Sequence, residues 1–121
     1  SITEAAVSDV KVPNDDHIIV SIHSYAPWDF CGTESDRSTW GSDADKAELD
    51  KNFKYLADTF ISKGVPVIID ECGSVNKHDN TADRAAHIEY YVKSAKQNGI
   101  KCFIWEVNRG ILDIYVQYFK K

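Results

Sequence analysis

The stretch Val65-Pro66-Val67-Ile68-Ile69-Asp70-Glu71-Cys72-Gly73-Ser74 leaves this chain few folds to choose from. A run so rich in branched aliphatics reads as a strand of a parallel sheet, where both faces are covered and residues need not alternate. The acidic pair then falls at the carboxyl end of that strand, where α/β folds gather their chemistry. Two carboxylates beside such an apolar run make poor filler. Glu71 is the first candidate for a chemical role.

The rest of the chain supplies partners for that strand. Residues 1–16 are weakly patterned, with Pro13-Asn14-Asp15-Asp16 as a turn signal, and read as a lead-in that carries the tail of a helix. His17–His23 is β-branched and apolar, the first predicted strand. A long connection, Ser24–Ser42, holds Trp28, Phe30 and Trp40; connections of that length are functional or disordered, and its tryptophans argue against disorder. Ser42 with Asp45 predicts a helix start, and Leu49, Phe53, Leu56, Ala57, Phe60 and Ile61 repeat at helical spacing until Gly64. The second strand is Val65–Asp70. Thr81 opens a second helix with Ala85, Ile88, Val92 and Ala95 as its buried stripe, closed by Asn98-Gly99. Ile100–Trp105 is the third strand, and Ile111–Phe119 reads as a last helix.

Strands alternating with helices at this spacing predict an α/β fold of right-handed βαβ units with a parallel sheet, one domain over residues 1–121. Three strands leave both sheet edges bare. Such a chain is either part of something larger or self-associates.

Composition narrows the partners. A net charge of −5 over 121 residues argues against nucleic acid, whose phosphates select basic surfaces. No apolar run approaches the roughly 20 residues of a membrane-spanning helix. The start lacks the charged-then-apolar pattern of a signal peptide, so the chain reads as mature or trimmed. Cys31, Cys72 and Cys102 are an odd set without metal-site spacing, and no metal or organic cofactor is implied. His17, His78 and His87 form no ligand spacing and read as solvated or local.

In a parallel sheet the strand carboxyl ends share one side. That side would collect His23, Ser24 and Tyr25, then Asp70 and Glu71, then Trp105, Glu106 and Asn108. A carboxylate, an imidazole, a phenol and an indole suit glycoside chemistry. The carboxylate attacks or stabilises an oxocarbenium-like carbon, and aromatic faces stack on sugar C–H surfaces. Trp28 and Trp40 read equally as platforms or as pins for their own loop. Asn76 and Lys77 are candidate polar contacts, while Asp70 reads as a loop hydrogen-bonder.

The pattern His23-x-Tyr25-x-Pro27-Trp28-x-Phe30, followed by Lys63-Gly64-Val65-Pro66-Val67-Ile68-Ile69-x-Glu71-x-Gly73-Ser74-Val75-Asn76-Lys77, resembles the sixth and seventh strands of glycoside hydrolase family five cellulases. Arg84, His87, Tyr90 and Tyr91 fit the same run, and the resemblance covers about residues 13–105. It implies the last three β/α units of a (β/α)8 (TIM) barrel that hydrolyses β-1,4-glucans with retention. By it Glu71 is the nucleophile, His23 and Tyr25 flank it, and Trp105 is the platform under the sugar. Trp28 and Asn76 join the implied substrate contacts. The partner is then a β-glucan polysaccharide or oligosaccharide, and a polymeric substrate implies an extracellular enzyme.

Two departures qualify that reading. The family's acid/base glutamate follows an asparagine, and no Asn-Glu pair occurs in this chain. A full barrel also needs roughly 250 residues. Glu106 could replace the missing acid only if it reached Glu71, yet directly after Trp105 its side chain should face the other way. Three rivals stand beside the hydrolase: a non-catalytic fragment that binds sugar, an assembly module acting through its sheet edges, and an unrelated doubly wound domain. The last is disfavoured because no Gly-rich phosphate loop follows a strand.

Overall fold

A computed structural model of the chain describes residue 2 and residues 4–105. A short helix α1 (Glu4–Ser8) precedes strand β1 (Val20–His23) and the one-turn helix α2 (Trp28–Cys31). Then come helix α3 (Asp43–Thr59), strand β2 (Val67–Cys72), helix α4 (Thr81–Gln97) and strand β3 (Lys101–Ile104). All pairings are parallel, in the order β1-β2-β3. The predicted α/β alternation holds. The predicted helix over Ile111–Phe119, with Glu106 and Asn108, lies outside the described residues.

Strand limits move for local reasons. β1 starts at Val20 rather than His17, because the Asp15 and Asp16 carboxylates take the His17 imidazole into a turn at 3.2 and 2.8 Å. Pairing begins where the Val20 N–H donates to the Pro66 carbonyl. β2 starts later than predicted, since Pro66 has no N–H to give. It also runs on past Asp70. The Ser24 N–H donates to the Glu71 carbonyl and the Trp105 N–H to the Cys72 carbonyl, so both acids lie inside the strand.

The start of α3 is as predicted. The Ser42 hydroxyl accepts from the Asp45 N–H, and the Asp45 carboxylate accepts from the Ser42 N–H, closing a capping box. Leu49, Phe53 and Leu56 are fully buried. Gly64, at φ 82°, takes the left-handed turn that returns the chain into β2.

The expected stripe of α4 needs correction. Val92 is exposed, and the buried face is Arg84, Ala85, His87, Ile88, Tyr91, Ser94 and Ala95. The helix is rotated toward its polar residues, because Arg84, His87 and Tyr91 find backbone carbonyls inside the fold. His87 is therefore core, not a solvated or local group. Nor does Thr81 cap the helix: the cap position is Asn80, whose amide serves the Lys77 N–H and the Ser38 carbonyl instead.

Both long helices pack on one face of the sheet, and α1 adds Val7 to the same core. Residues in register face one way. The row Ile22, Ile69 and Cys102 points to the helices, whereas Ser21, Ile68 and Lys101 point away from them. Among the described residues, the apolar run of β2 thus has one covered face, not the two expected. Phe103 and Trp105 are more than half exposed. The chain by itself is expected to self-associate through this face and through the sheet edges that the described residues leave unpaired. Light scattering over a concentration series should show the apparent mass rising, and Phe103→Glu should weaken association about tenfold or more. A concentration-independent monomer would refute the expectation.

Candidate active site at the strand ends

The central strand carries an irregularity where the acids sit. Ile22 is level with Ile69 but His23 with Glu71, and on the other side Cys102 is level with Ile69 but Ile104 with Cys72. Across this step β2 holds one more residue than either neighbour, a β-bulge. Burial along the strand agrees: the alternation breaks at Asp70 and Glu71, both half-buried, before Cys72 is buried again. In a regular strand Asp70 and Glu71 would point to opposite faces. The bulge lets one imidazole on β1 meet both.

His23 is that imidazole. Its Nδ1 lies 3.2 Å from Glu71 Oε2 and its Nε2 3.5 Å from Asp70 Oδ1. The Tyr25 hydroxyl donates to the same Oε2 at 3.0 Å. Burial pushes the Tyr25 phenol up to about 12, and the Glu71 carboxylate adds to that, so the hydroxyl keeps its proton at neutral pH and can only donate to Glu71. Asp70 is held below the usual carboxylate range, first by a hydrogen bond from Ser21 and also by His23. Asp70 lies in the strand, as expected, but its partners are on β1 rather than in a loop.

The Glu71 side chain is 24% exposed. Its carboxylate is thus oriented through one oxygen and remains open to a reactant. Such a group can attack, or electrostatically stabilise, an electron-poor carbon.

The two connections that follow β1 and β2 are tied into one rim. The Val75 N–H donates to the Cys31 carbonyl and Lys77 Nζ to the Asp29 carbonyl. Lys77, considered as a polar contact, is engaged in this rim. Arg37 bridges Asp29 and Asp45, joining α2 to the first turn of α3. Burial opposes charge on Asp45, but Arg37 and the Gly41 and Ser42 N–H groups outweigh it and lower its pKa.

The predicted aromatics divide. Trp28, half exposed, lies against Gly32 so closely that a Cβ there would come within 2.7 Å of its Cε2. Trp105 is half exposed and follows β3, its backbone beside Cys72. Asn76 is exposed on the connection after β2. Trp40 instead packs on His87 and Tyr90 and serves the core.

Sequence reasoning missed what lies behind the rim. Tyr91 donates to the Ser24 carbonyl at 3.0 Å, His87 Nε2 lies 2.9 Å from the Ala26 carbonyl, and Arg84 Nε donates to the Ser74 carbonyl at 3.0 Å. Their spacing on α4 was the available signal. Cys31 Sγ lies 3.7 Å from His87 Nε2, but this is no thiolate–imidazole pair. Burial pushes the thiol up to about 12 and the imidazole down to about 4, so both are neutral. Among the described residues, the His/Cys/Asp/Glu group with metal-holding proximity is Asp15, Asp16 and His17, fully exposed and before β1, at the other end of the sheet from Glu71.

Known proteins resemble this chain in sequence and fold. The sequence profile of Cellulase (glycosyl hydrolase family 5) matches residues 2–110. Endoglucanase A of Clostridium longisporum is 45% identical over 88% of this chain, which spans 21% of that protein. The structure of a GH5-4 broad specificity endoglucanase from Clostridium acetobutylicum superposes with a TM-score of 0.81 at 38% identity, covering 88% of this chain and 32% of that one. A GH5-4 broad specificity endoglucanase from Ruminococcus champanellensis, solved with bound cellotriose, gives a TM-score of 0.75 at 32% identity over 88% of this chain and 31% of its own. The chain therefore spans about a third or less of the relatives it matches.

Proposed function

The chain belongs to glycosyl hydrolase family 5, and on that premise we propose that it is the nucleophile-bearing part of a retaining β-1,4-glucanase. The observation that carries this reading is the convergence of Tyr25 and His23 on one oxygen of Glu71, at the carboxyl end of the central strand. Oε1, which takes neither contact, attacks the anomeric carbon and forms a glycosyl-enzyme. A second carboxyl group protonates the leaving oxygen and then activates water.

Retention needs the two carboxyl groups about 5–5.5 Å apart. Asp70 does not fit the second role, because Ser21 and His23 favour its charged form and an acid must carry a proton. The acid is supplied by chain that completes the barrel, and the sheet face that the described residues leave uncovered supports that reading. Trp105 and Trp28 offer indole faces to a cello-oligosaccharide, and Asn76 a hydrogen-bonding amide. A polymeric substrate places the enzyme outside the cell.

A second reading, sugar binding without cleavage, is favoured by Trp28 and Trp105, both half exposed after β1 and β3. One titration separates the two. Cello-oligosaccharide is added while tryptophan fluorescence and reducing ends are followed. Fluorescence change with product supports the hydrolase, and change without product over long incubation selects the binding fragment. No change in either removes both.

A further inference from the structure

We propose that α4 is the element that sets Tyr25 on Glu71, with His87 and Tyr91 as positioning residues for that contact. The proposal rests on the reading of Glu71 as the nucleophile, and names what orients it from behind.

Arg84, His87 and Tyr91 follow one another at helical spacing and share one face of α4. All three are buried, His87 and Tyr91 to within 1%. Each reaches a backbone carbonyl of a strand-end connection rather than a side chain. Two of those carbonyls, Ser24 and Ala26, belong to the residues on either side of Tyr25. The third, Ser74, lies just beyond Glu71. The carbonyls of the residues before and after Tyr25 are thus gripped from α4, while the Ser24 N–H is tied to the Glu71 carbonyl at 2.9 Å. Tyr25 has little backbone freedom left, and its hydroxyl falls on Glu71 Oε2.

The donors are held as firmly as the carbonyls. A carbonyl can only accept, so neutral His87 carries its proton on Nε2. Its ring is packed against Phe30, Trp40 and Tyr91 at centroid distances of 5.2, 5.5 and 5.6 Å. Tyr91 in turn meets Phe53 edge-on at 4.9 Å. Neither can swing away without opening the core. A helix needed only to cover the sheet would carry apolar side chains at these positions, because a buried hydrogen bond adds little net stability. What the polar stripe adds is direction.

The test reads Tyr25 directly. In the full chain labelled with 13Cζ-tyrosine, the exchange rate of the Tyr25 hydroxyl proton is measured by NMR at neutral pH. Tyr91→Phe, which deletes one oxygen, is expected to speed that exchange about fivefold or more. His87→Phe should do the same, and His87→Gln, which can return an N–H near the Nε2 position, should restore the parent rate. Ser94→Ala removes another buried α4 hydroxyl, one that serves Asp50 at 2.6 Å. It should lower Tm without moving Tyr25. Parent-like exchange in folded Tyr91→Phe, or equal acceleration in Ser94→Ala, overturns the proposal. Should His87→Phe not fold, Tyr91→Phe decides. None of these measurements needs glucan turnover, so an inactive parent would remove the hydrolase reading and leave this result standing.

Discussion

Glu71→Gln is expected to lower hydrolysis of a soluble β-1,4-glucan about 10⁴-fold, whether the chain acts alone or within a completed barrel. That is about 5 kcal/mol of transition-state stabilisation. Glutamine keeps the size of the side chain and can still accept the Tyr25 hydroxyl. It cannot donate an electron pair to the anomeric carbon with comparable strength. Structure and sugar affinity should therefore survive while the first chemical step fails. Tyr25→Phe provides the scale: it removes one donor from Oε2 and should cost about 10- to 100-fold. The ordering of the two variants matters more than either figure. Equal traces of product from parent and Glu71→Gln would mean that Glu71 is not the nucleophile, and a larger loss in Tyr25→Phe would move the chemistry to the phenol.

The contrast between β2 and α4 shows what is legible in the sequence alone. The apolar run ending in Asp70-Glu71 announced a parallel strand with chemistry at its carboxyl end, because both signals are local and read residue by residue. The bulge was not legible. An extra residue in β2 shows only against the register of its neighbours, and pairing is not written in one strand's own sequence. Without it, Asp70 reads as a strand-end group that bonds a loop, and the shared imidazole contact cannot be foreseen. On α4 the periodicity was right and its phase was wrong. Counting Val92 as buried and His87 as a solvated or local group follows from ranking side chains by polarity. The fold ranks them by whether a partner waits inside, and for Arg84, His87 and Tyr91 the partners are carbonyls of connections remote in sequence. Trp40 and Trp28 make the same point. Both fall in the connection between β1 and α3, yet one packs on α4 residues and the other, in α2, stands half exposed against Gly32.

Acid should destabilise this fold mainly through His87. Burial lowers its pKa from 6.5 to about 4, against the opposing pull of the Ala26 carbonyl and Asp45. Above about pH 6.5 neither folded nor unfolded chain binds the proton, and the full stability is present. As pH falls toward 4, the unfolded chain takes up a proton that the folded imidazole refuses. Stability then drops by up to about 1.4 kcal/mol per pH unit, about 3 kcal/mol over the window. Urea unfolding at pH 7 and pH 5 should show the parent losing about 2 kcal/mol between them. His87→Gln keeps a donor near the Ala26 carbonyl but has nothing to titrate, so its loss over the same interval should be much smaller. His17, His23 and His78 are common to both proteins and cancel in the comparison. Since His87 holds the carbonyl of Ala26, the residue after Tyr25, the loss should be accompanied by faster amide exchange around residues 24–28 before the sheet opens. Parallel pH curves for parent and variant would mean that folded His87 takes up its proton as readily as the unfolded chain does, and would assign the acid sensitivity to another group.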